Sequence, residues 1–138
     1  MLAEILAGLE HRYPVENADS WDAPGLVVGS TQQQVGHVRL SVDVTSAVVA
    51  EAVSDGVDLL VAHHPLLLRG VTSIAEESLK GSILSSALRG DLAIYSAHTN
   101  ADVVSGGVSD SLAKAFGLVD ALPLVAAGEP GIGHGRVG

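Results

Sequence analysis

The sequence of 138 residues contains no cysteine. Disulfide bonds, thiolate zinc sites and cysteine nucleophiles are therefore excluded. Aromatic residues make up only 3% of the chain, so a hydrophobic core must be built from valine, leucine, isoleucine and alanine. Such a core is typical of buried parallel strands covered by helices, and less so of β-sandwiches or aromatic-rich binding surfaces.

Basic residues are also scarce, with 7 Lys and Arg against 16 Asp and Glu, which gives a net charge of −9. These seven residues are scattered along the chain rather than clustered. Because an acidic surface repels phosphate backbones, we expect no nucleic-acid partner.

Long apolar runs are missing as well, and none approaches the roughly 20 residues that a membrane-spanning helix needs. Near the amino terminus, Glu4 stands where a secretory signal would carry a basic segment. We therefore expect no membrane association and a cytoplasmic location. Hydrophobic residues nevertheless make up 47% of the chain, which is enough for the sizeable core of one globular domain.

Hydrophobic periodicity predicts alternating helices and strands along most of the chain. Residues 14–34 have no such period and predict a long irregular loop. The remaining pattern predicts helices over residues 2–12, 47–53, 78–88 and 108–116, and strands over residues 38–44, 57–62 and 92–96. This order is typical of an α/β fold, a layered sheet with substantial parallel pairing and helices on both faces.

The end of the chain has a different composition. Residues 126–138 contain five glycines and no apolar periodicity. We predict a domain over residues 1–125, followed by a glycine-rich junction over residues 126–138, which has no apolar periodicity to hold a terminal element. The chain would then be the first half of a longer protein, or a protein that needs a partner to complete its site.

Polar side chains follow the second and third predicted strands. His63 and His64 come directly after the second strand, and His98, Asn100 and Asp102 follow the third. In an open α/β sheet, ligands bind beyond the carboxyl ends of the strands. If the two strands are parallel, both groups lie at one edge of the sheet and converge in one pocket.

His63, His64 and Asp102 have the donor chemistry of a site for two metal ions. Successive side chains leaving a strand point in different directions, so the two histidines are suited to two neighbouring ions. The carboxylate of Asp102 can bind one ion or reach a second. With no thiolate, zinc, iron, manganese, cobalt or nickel is favoured over calcium. Two such ions roughly 3.5–4 Å apart would suit a hydrolytic centre.

Structural roles are open for the same residues. A histidine pair in a loop is more often a surface or structural feature than a metal site. His98 and Asn100 can instead hydrogen-bond the backbone of the turn, and His98 then supports the ligands or faces the substrate. The other histidines, His11, His37 and His134, are predicted to face solvent.

A set of short motifs is spread over nearly the whole chain, and its two histidine-bearing segments are the most specific. The motifs are Trp21-Asp22, Gly25-Leu26, Gly29, Asp43 with Thr45, Glu51-Ala52, residues 58–65, residues 95–102, Gly106-Gly107-Val108 and residues 133–138. Together they resemble the Nif-three-like family, dinuclear-metal proteins also known as GTP cyclohydrolase 1 type 2 homologues. Ala23 departs from the family pattern, in which asparagine is expected.

The resemblance implies that His63 and His64 each bind one of two divalent metal ions and that Asp102 is a further ligand. It also implies a ring-shaped homo-oligomer, commonly a hexamer. Family members take a further histidine and glutamate ligand from a second α/β half, and residues 133–138 resemble the junction before that half. Three ligands shared by two ions leave positions to water, so we expect weak metal binding by residues 1–138.

Two functions agree with these expectations. The first is a divalent-metal-dependent hydrolase of the cyclohydrolase or phosphoester-cleaving type, with His98 near the substrate. The second is a non-enzymatic metal-binding or metal-delivery scaffold whose partner is another protein. Nothing in these residues recognises a purine ring, so the substrate is left open.

Overall fold

The computed structural model describes residues 1–138. The helices and strands, in chain order, are α1 (Leu2–Arg12), a 3₁₀ helix (Val15–Asn17), β1 (Gly25–Val28), β2 (Val38–Ser41), α2 (Ser46–Ser54), β3 (Leu59–Ala62), α3 (Leu79–Arg89), β4 (Ala93–Ser96), α4 (Thr99–Val103), α5 (Val108–Ala115), β5 (Val125–Ala126) and β6 (Gly133–His134). None of the helices combines the length and the apolar character required to cross a membrane.

Four strands form the central sheet, in the order β1-β4-β3-β2. Strands β2, β3 and β4 are parallel neighbours, whereas β1 runs antiparallel to β4. Ser41 lies beside Ala62, and Ala62 beside Ser96, so the three parallel strands end at the same edge. Gly25, the first residue of β1, also lies at this edge, opposite Ser96. The predicted α/β sheet with substantial parallel pairing is confirmed.

Helices cover both faces of the sheet, as predicted. On one face, Leu60 and Ile94 belong to a core cluster that includes residues of α2 and α3. On the other face, Leu59 and Tyr95 cluster with Leu2 of α1. This division follows from the period of two along a strand, which sends adjacent side chains to opposite faces. Because β3 and β4 are buried on both faces, their sequences are apolar except for Tyr95 and Ser96 at the end of β4.

The irregular loop predicted over residues 14–34 is wrong, because this segment contains the 3₁₀ helix and strand β1. Strand β1 has four residues, too few to show a clear period. Its pairing with the buried strand β4 decides its conformation. The strand predicted over residues 38–44 ends at Ser41, whose hydroxyl donates a hydrogen bond to the backbone oxygen of Asp43.

The tail over residues 126–138, which has no apolar periodicity, is held by polar contacts. Strands β5 and β6 pair as an antiparallel hairpin. The side chain of Arg136 is 3% exposed, pairs with Asp110, and donates to the backbone oxygens of Gly133 at 2.7 Å and Gly135 at 2.6 Å. A single buried arginine thus anchors the tail, and hydrophobic periodicity carries no sign of such an anchor.

Gly107 precedes α5 at a point where the backbone of α4 passes closely. A Cβ atom at this position would lie 2.2 Å from the backbone oxygen of Ala101, well inside van der Waals contact. We expect Gly107→Ala to lower the free energy of unfolding by about 1–3 kcal/mol, because a backbone atom cannot move aside as a flexible side chain can. Urea unfolding followed by circular dichroism measures this change.

Gly8→Ala is the matched control for this substitution. Gly8 is exposed on α1, and no atom lies within 4 Å of a Cβ added there. Alanine is favoured over glycine inside a helix, so this variant should be as stable as the wild type or slightly more stable. Equal stability of the two variants would contradict the close approach at Gly107.

Candidate metal centre

Three histidines meet at the edge of the sheet where β3 and β4 end. His63 and His64 directly follow β3, and His98 lies between β4 and α4. One ring nitrogen of each imidazole lies within 4.8 Å of the others, and the ring centroids are 5.0 to 5.5 Å apart. His63 and His98 are half-buried, whereas His64 is exposed. We call these three residues the histidine cluster.

Each imidazole of the histidine cluster has its Nδ1 atom beside an oxygen. The pairs are His63 Nδ1 with the backbone oxygen of Ala97 at 2.9 Å, His64 Nδ1 with Asp43 Oδ1 at 2.7 Å, and His98 Nδ1 with Asp22 Oδ1 at 2.9 Å. Carbonyl and carboxylate oxygens only accept hydrogen bonds, so each Nδ1 carries a proton, and in the neutral ring the lone pair is then on Nε2. Metal-binding histidines in proteins are held in this way.

Asp102, on α4, borders the histidine cluster. Its Oδ1 atom is 3.7 Å from Nε2 of His63, which is beyond hydrogen-bonding distance. The closest group of possible ligands therefore consists of the three histidines, with Asp102 beside His63. The structure places the three residues predicted to bind metal, His63, His64 and Asp102, at one edge, and it brings His98 into the same group.

Asp22 is the buried anchor of His98. Its side chain is 0% exposed and accepts hydrogen bonds from His98 Nδ1, the Thr99 hydroxyl, and the backbone N–H groups of Thr99 and Ala23. Burial by itself would raise the pKa of Asp22, but these hydrogen bonds outweigh it and hold the pKa below its usual range. Asp22 is therefore an ionised carboxylate near neutral pH.

The turn after β4 is a short helix, α4, rather than a plain turn. Asn100 does bond the backbone here, as one of the alternatives predicted: its Oδ1 accepts from the N–H of His98 at 2.9 Å, and its Nδ2 donates to the backbone oxygen of Tyr13 at 2.7 Å. The ring of His98 does not, since the partner of its Nδ1 is the carboxylate of Asp22. His98 is thus free to use Nε2 in the histidine cluster.

The loop before β1 closes one side of the centre. Trp21 is 58% exposed, and its ring meets that of His98 edge to face at a centroid distance of 6.0 Å. Asp19, two residues earlier, is fixed by a hydrogen bond from its N–H to the Thr99 hydroxyl at 3.0 Å. Asp22, directly after Trp21, also accepts hydrogen bonds from Thr99. Trp21 therefore lies between two residues, Asp19 and Asp22, that are both hydrogen-bonded to α4.

The other three histidines lie outside the histidine cluster. His11 and His37 are exposed, as predicted. The side chain of His134 is 41% exposed, so it faces solvent as predicted. Its Nε2 also lies 3.1 Å from Oδ1 of Asp19, because the hairpin of the tail brings His134 against the loop before β1.

Asp22 and Asp43 are the site residues whose roles sequence reasoning did not find. Both belong to motifs shared with the family that the sequence resembles, but nothing local indicates that they contact histidines 76 and 21 residues away. Only the sheet topology brings them together.

Comparison with known proteins decides the family. The sequence model of the Duf34/NIF3 (NGG1p interacting factor 3) family matches residues 1–138. The chain belongs to this family. Among curated NIF3-family relatives, a GTP cyclohydrolase 1 type 2 homolog of Streptomyces coelicolor is 45% identical over 99% of this chain, and one of Mycobacterium tuberculosis is 46% identical over 88%.

Solved structures agree with this assignment. A Bacillus cereus protein related to NIF3 superposes with a TM-score of 0.86 at 39% identity over 91% of this chain. Reduced HcgD from Methanocaldococcus jannaschii gives a TM-score of 0.82 at 31% identity over 89%. This NIF3-family chain spans 47% of the Streptomyces relative, 32% of the Mycobacterium relative, and 35% and 49% of these two solved chains.

Proposed function

We propose that this NIF3-family chain binds divalent metal ions at the histidine cluster and Asp102, and that it acts as a metal-dependent hydrolase. The observation that supports metal binding is the set of three imidazoles whose Nδ1 atoms are all taken by oxygens. In the neutral rings the Nε2 lone pairs have no hydrogen-bond partner within the chain, so they are available to bound metal ions.

The donor set fits two ions of the kind expected from the sequence. His63 and His64 would each hold one ion, and Asp102 beside His63 would add a carboxylate. Nitrogen and oxygen donors without sulfur suit zinc, iron, manganese, cobalt or nickel. Bound ions of this kind make water a better nucleophile near neutral pH and polarise a substrate oxygen.

In this proposal the two aspartates position the histidine rings and do not react with the substrate themselves. Asp43 and Asp22 hold the rings of His64 and His98, so neither imidazole has to reorganise when a ligand enters. The exposed side of the cluster, at His64, leaves room for a substrate to approach from solvent. The name of the curated relatives, GTP cyclohydrolase 1 type 2 homolog, supports a hydrolytic reaction but does not fix the substrate.

A non-enzymatic metal-binding or metal-delivery scaffold is the second candidate. Exposed apolar side chains on α5 and just after it favour a protein partner, with Leu112 and Phe116 as the main examples. A homo-oligomer, commonly a hexamer, and a cytoplasmic location stay predictions.

Metal titration and turnover separate these functions. We expect the metal-free chain to bind cobalt saturably in calorimetry, with modest affinity because water fills several ligand positions. In the metal-loaded chain, hydrolysis of a nucleotide or phosphoester that His64→Ala abolishes would support the hydrolase. Saturable binding without turnover on any of these compounds would support the scaffold, and absence of saturable binding would contradict both.

A further inference from the structure

We propose that Trp21 determines substrate specificity and that its indole stacks on a flat aromatic ring of the substrate. The inference rests on the proposed function and deepens it, because it adds the class of substrate: a compound in which an aromatic ring is joined to a phosphoryl group. It follows from two observations together, the exposure of the indole and the hydrogen bonds that fix the turn carrying it.

Trp21 is exposed although tryptophan is, on average, one of the more buried residues. It is 58% exposed. The ring of His98 meets it at a centroid distance of 6.0 Å with the two planes 82° apart. A contact of this edge-to-face kind covers only part of an indole. Most of the indole is therefore open to another molecule at the border of the histidine cluster.

The turn that carries Trp21 is fixed at both ends. The N–H of Asp22 donates to the backbone oxygen of Asp19 at 2.9 Å, which closes a four-residue turn with Trp21 at its third position. The N–H of Asp19 donates to the Thr99 hydroxyl, and the carboxylate of Asp22 accepts from Thr99 and His98. Because this support is already ordered, a ligand that binds the indole has little loop entropy to overcome.

The indole lies one ring beyond the histidine cluster. The centroid of the His98 ring is 5.1 Å from that of His63 and 5.5 Å from that of His64, and the indole is on its other contact, at 6.0 Å. A substrate ring stacked on Trp21 therefore needs only a short link to bring its phosphoryl group to the cluster.

A flat ring fits this position better than an organic cation. Proteins bind such cations in cages of several aromatic rings, whereas the other strongly exposed aromatic residue, Phe116, lies just after α5. Stacking of one aromatic ring on a side chain strengthens binding roughly 5- to 150-fold. The net charge of −9 opposes binding of a phosphoryl group but not of an uncharged ring. Stacking thus supplies affinity that this acidic chain does not otherwise offer such a substrate.

Two phosphonates test the stacking in the cobalt-loaded chain. Phenylphosphonate and cyclohexylphosphonate share the metal-binding group and the number of ring carbons, but only the phenyl ring is flat, and their P–C bonds resist hydrolysis. In calorimetry, we expect the wild type to bind phenylphosphonate about tenfold more tightly. Trp21→Leu should remove this preference, and Trp21→Phe should keep most of it. Phe116→Leu, which removes the other exposed aromatic ring, is the matched control and should keep the preference in full.

A second pair of ligands identifies the source of the ring. Adenosine 5′-(α,β-methylene)diphosphate carries a nucleobase, and methylenediphosphonate is the same metal-binding group without it. Tighter binding of the nucleotide that Trp21→Leu abolishes would assign the ring to a nucleobase. Equal binding of this pair, with the preference for phenylphosphonate intact, would assign it to an aryl group attached close to the phosphoryl group.

Three results would overturn the inference alone: equal affinity of the wild type for both phosphonates, a phenyl preference that Trp21→Leu retains, or no binding of either phosphonate to the cobalt-loaded chain. Absence of cobalt binding would overturn the proposed function, and this inference with it. Because Trp21 is exposed, its variants should fold like the wild type, which circular dichroism checks.

Discussion

Replacing His63 and His64 together with alanine is expected to abolish saturable cobalt binding. The double variant removes two of the three free Nε2 lone pairs, and a single imidazole holds a hydrated divalent ion only weakly. Trp21 is a convenient reporter, because it is the single tryptophan and its ring lies 6.0 Å from that of His98. Cobalt in the histidine cluster should quench its fluorescence, and the variant should show no saturable quenching.

The matched control replaces His11 and His37, which are exposed and lie outside the histidine cluster. This control removes the same number of imidazoles and should bind cobalt like the wild type. Equal loss of quenching in both double variants would show that cobalt binds surface histidines at large. Unchanged quenching without His63 and His64 would show that the cluster is not the site.

Replacing Arg136 with methionine is expected to lower the free energy of unfolding by about 3 kcal/mol. The guanidinium is almost fully buried, and its loss removes the ion pair of Asp110 and the side-chain donor to the backbone oxygens of Gly133 and Gly135. Methionine keeps the unbranched apolar stem of the side chain, so lost packing explains only part of the effect. Chemical denaturation measures it, and a change below about 1 kcal/mol would contradict the role of Arg136 as the anchor of the tail.

Acid should reduce the difference between wild type and Arg136→Met. The hydrogen bond from Arg136, with that from the N–H of Gly106, holds the pKa of Asp110 below its usual range. A group whose pKa is lower in the folded state stabilises the fold above its unfolded pKa of about 3.9. That contribution disappears as the pH falls through the folded pKa. A difference that stays constant from pH 7 to pH 2 would show that Asp110 is not the partner that matters.

The sequence predicted the parallel part of the sheet because those strands carry strong local signals. Strands β3 and β4 are buried on both faces, so their apolar runs stand out, and each is followed by histidine at the edge where ligands bind. The meeting of His63, His64 and Asp102 followed from that topology alone. Helices α1, α2 and α3 followed from their period and from residues such as Thr45, whose side chain accepts the N–H of Val48.

Other features were hidden because they depend on contacts between distant segments. Strand β1 exists through its pairing with β4, and the tail hairpin is held by the buried ion pair of Arg136 with Asp110. The contacts of Asp22 with His98 and of Asp43 with His64 likewise join residues far apart in sequence. Hydrophobic periodicity does not indicate which distant residue a side chain contacts. The hydrogen bonds of Asp22 and Asp43 to the histidines could therefore be recognised only in the folded chain.

The reversed direction of β1 determines how the site was assembled from the chain. The residues that follow each of the parallel strands lie at the ligand-binding edge. Because β1 is antiparallel to them, the residues that precede it lie at that edge instead. Because Gly25 lies opposite Ser96, the segment preceding β1 arrives beside His98, and Trp21 and Asp22 come with it. The histidine cluster is therefore bordered on this side by residues from an early part of the sequence, which the outermost strand of the sheet holds beside a histidine 76 residues away.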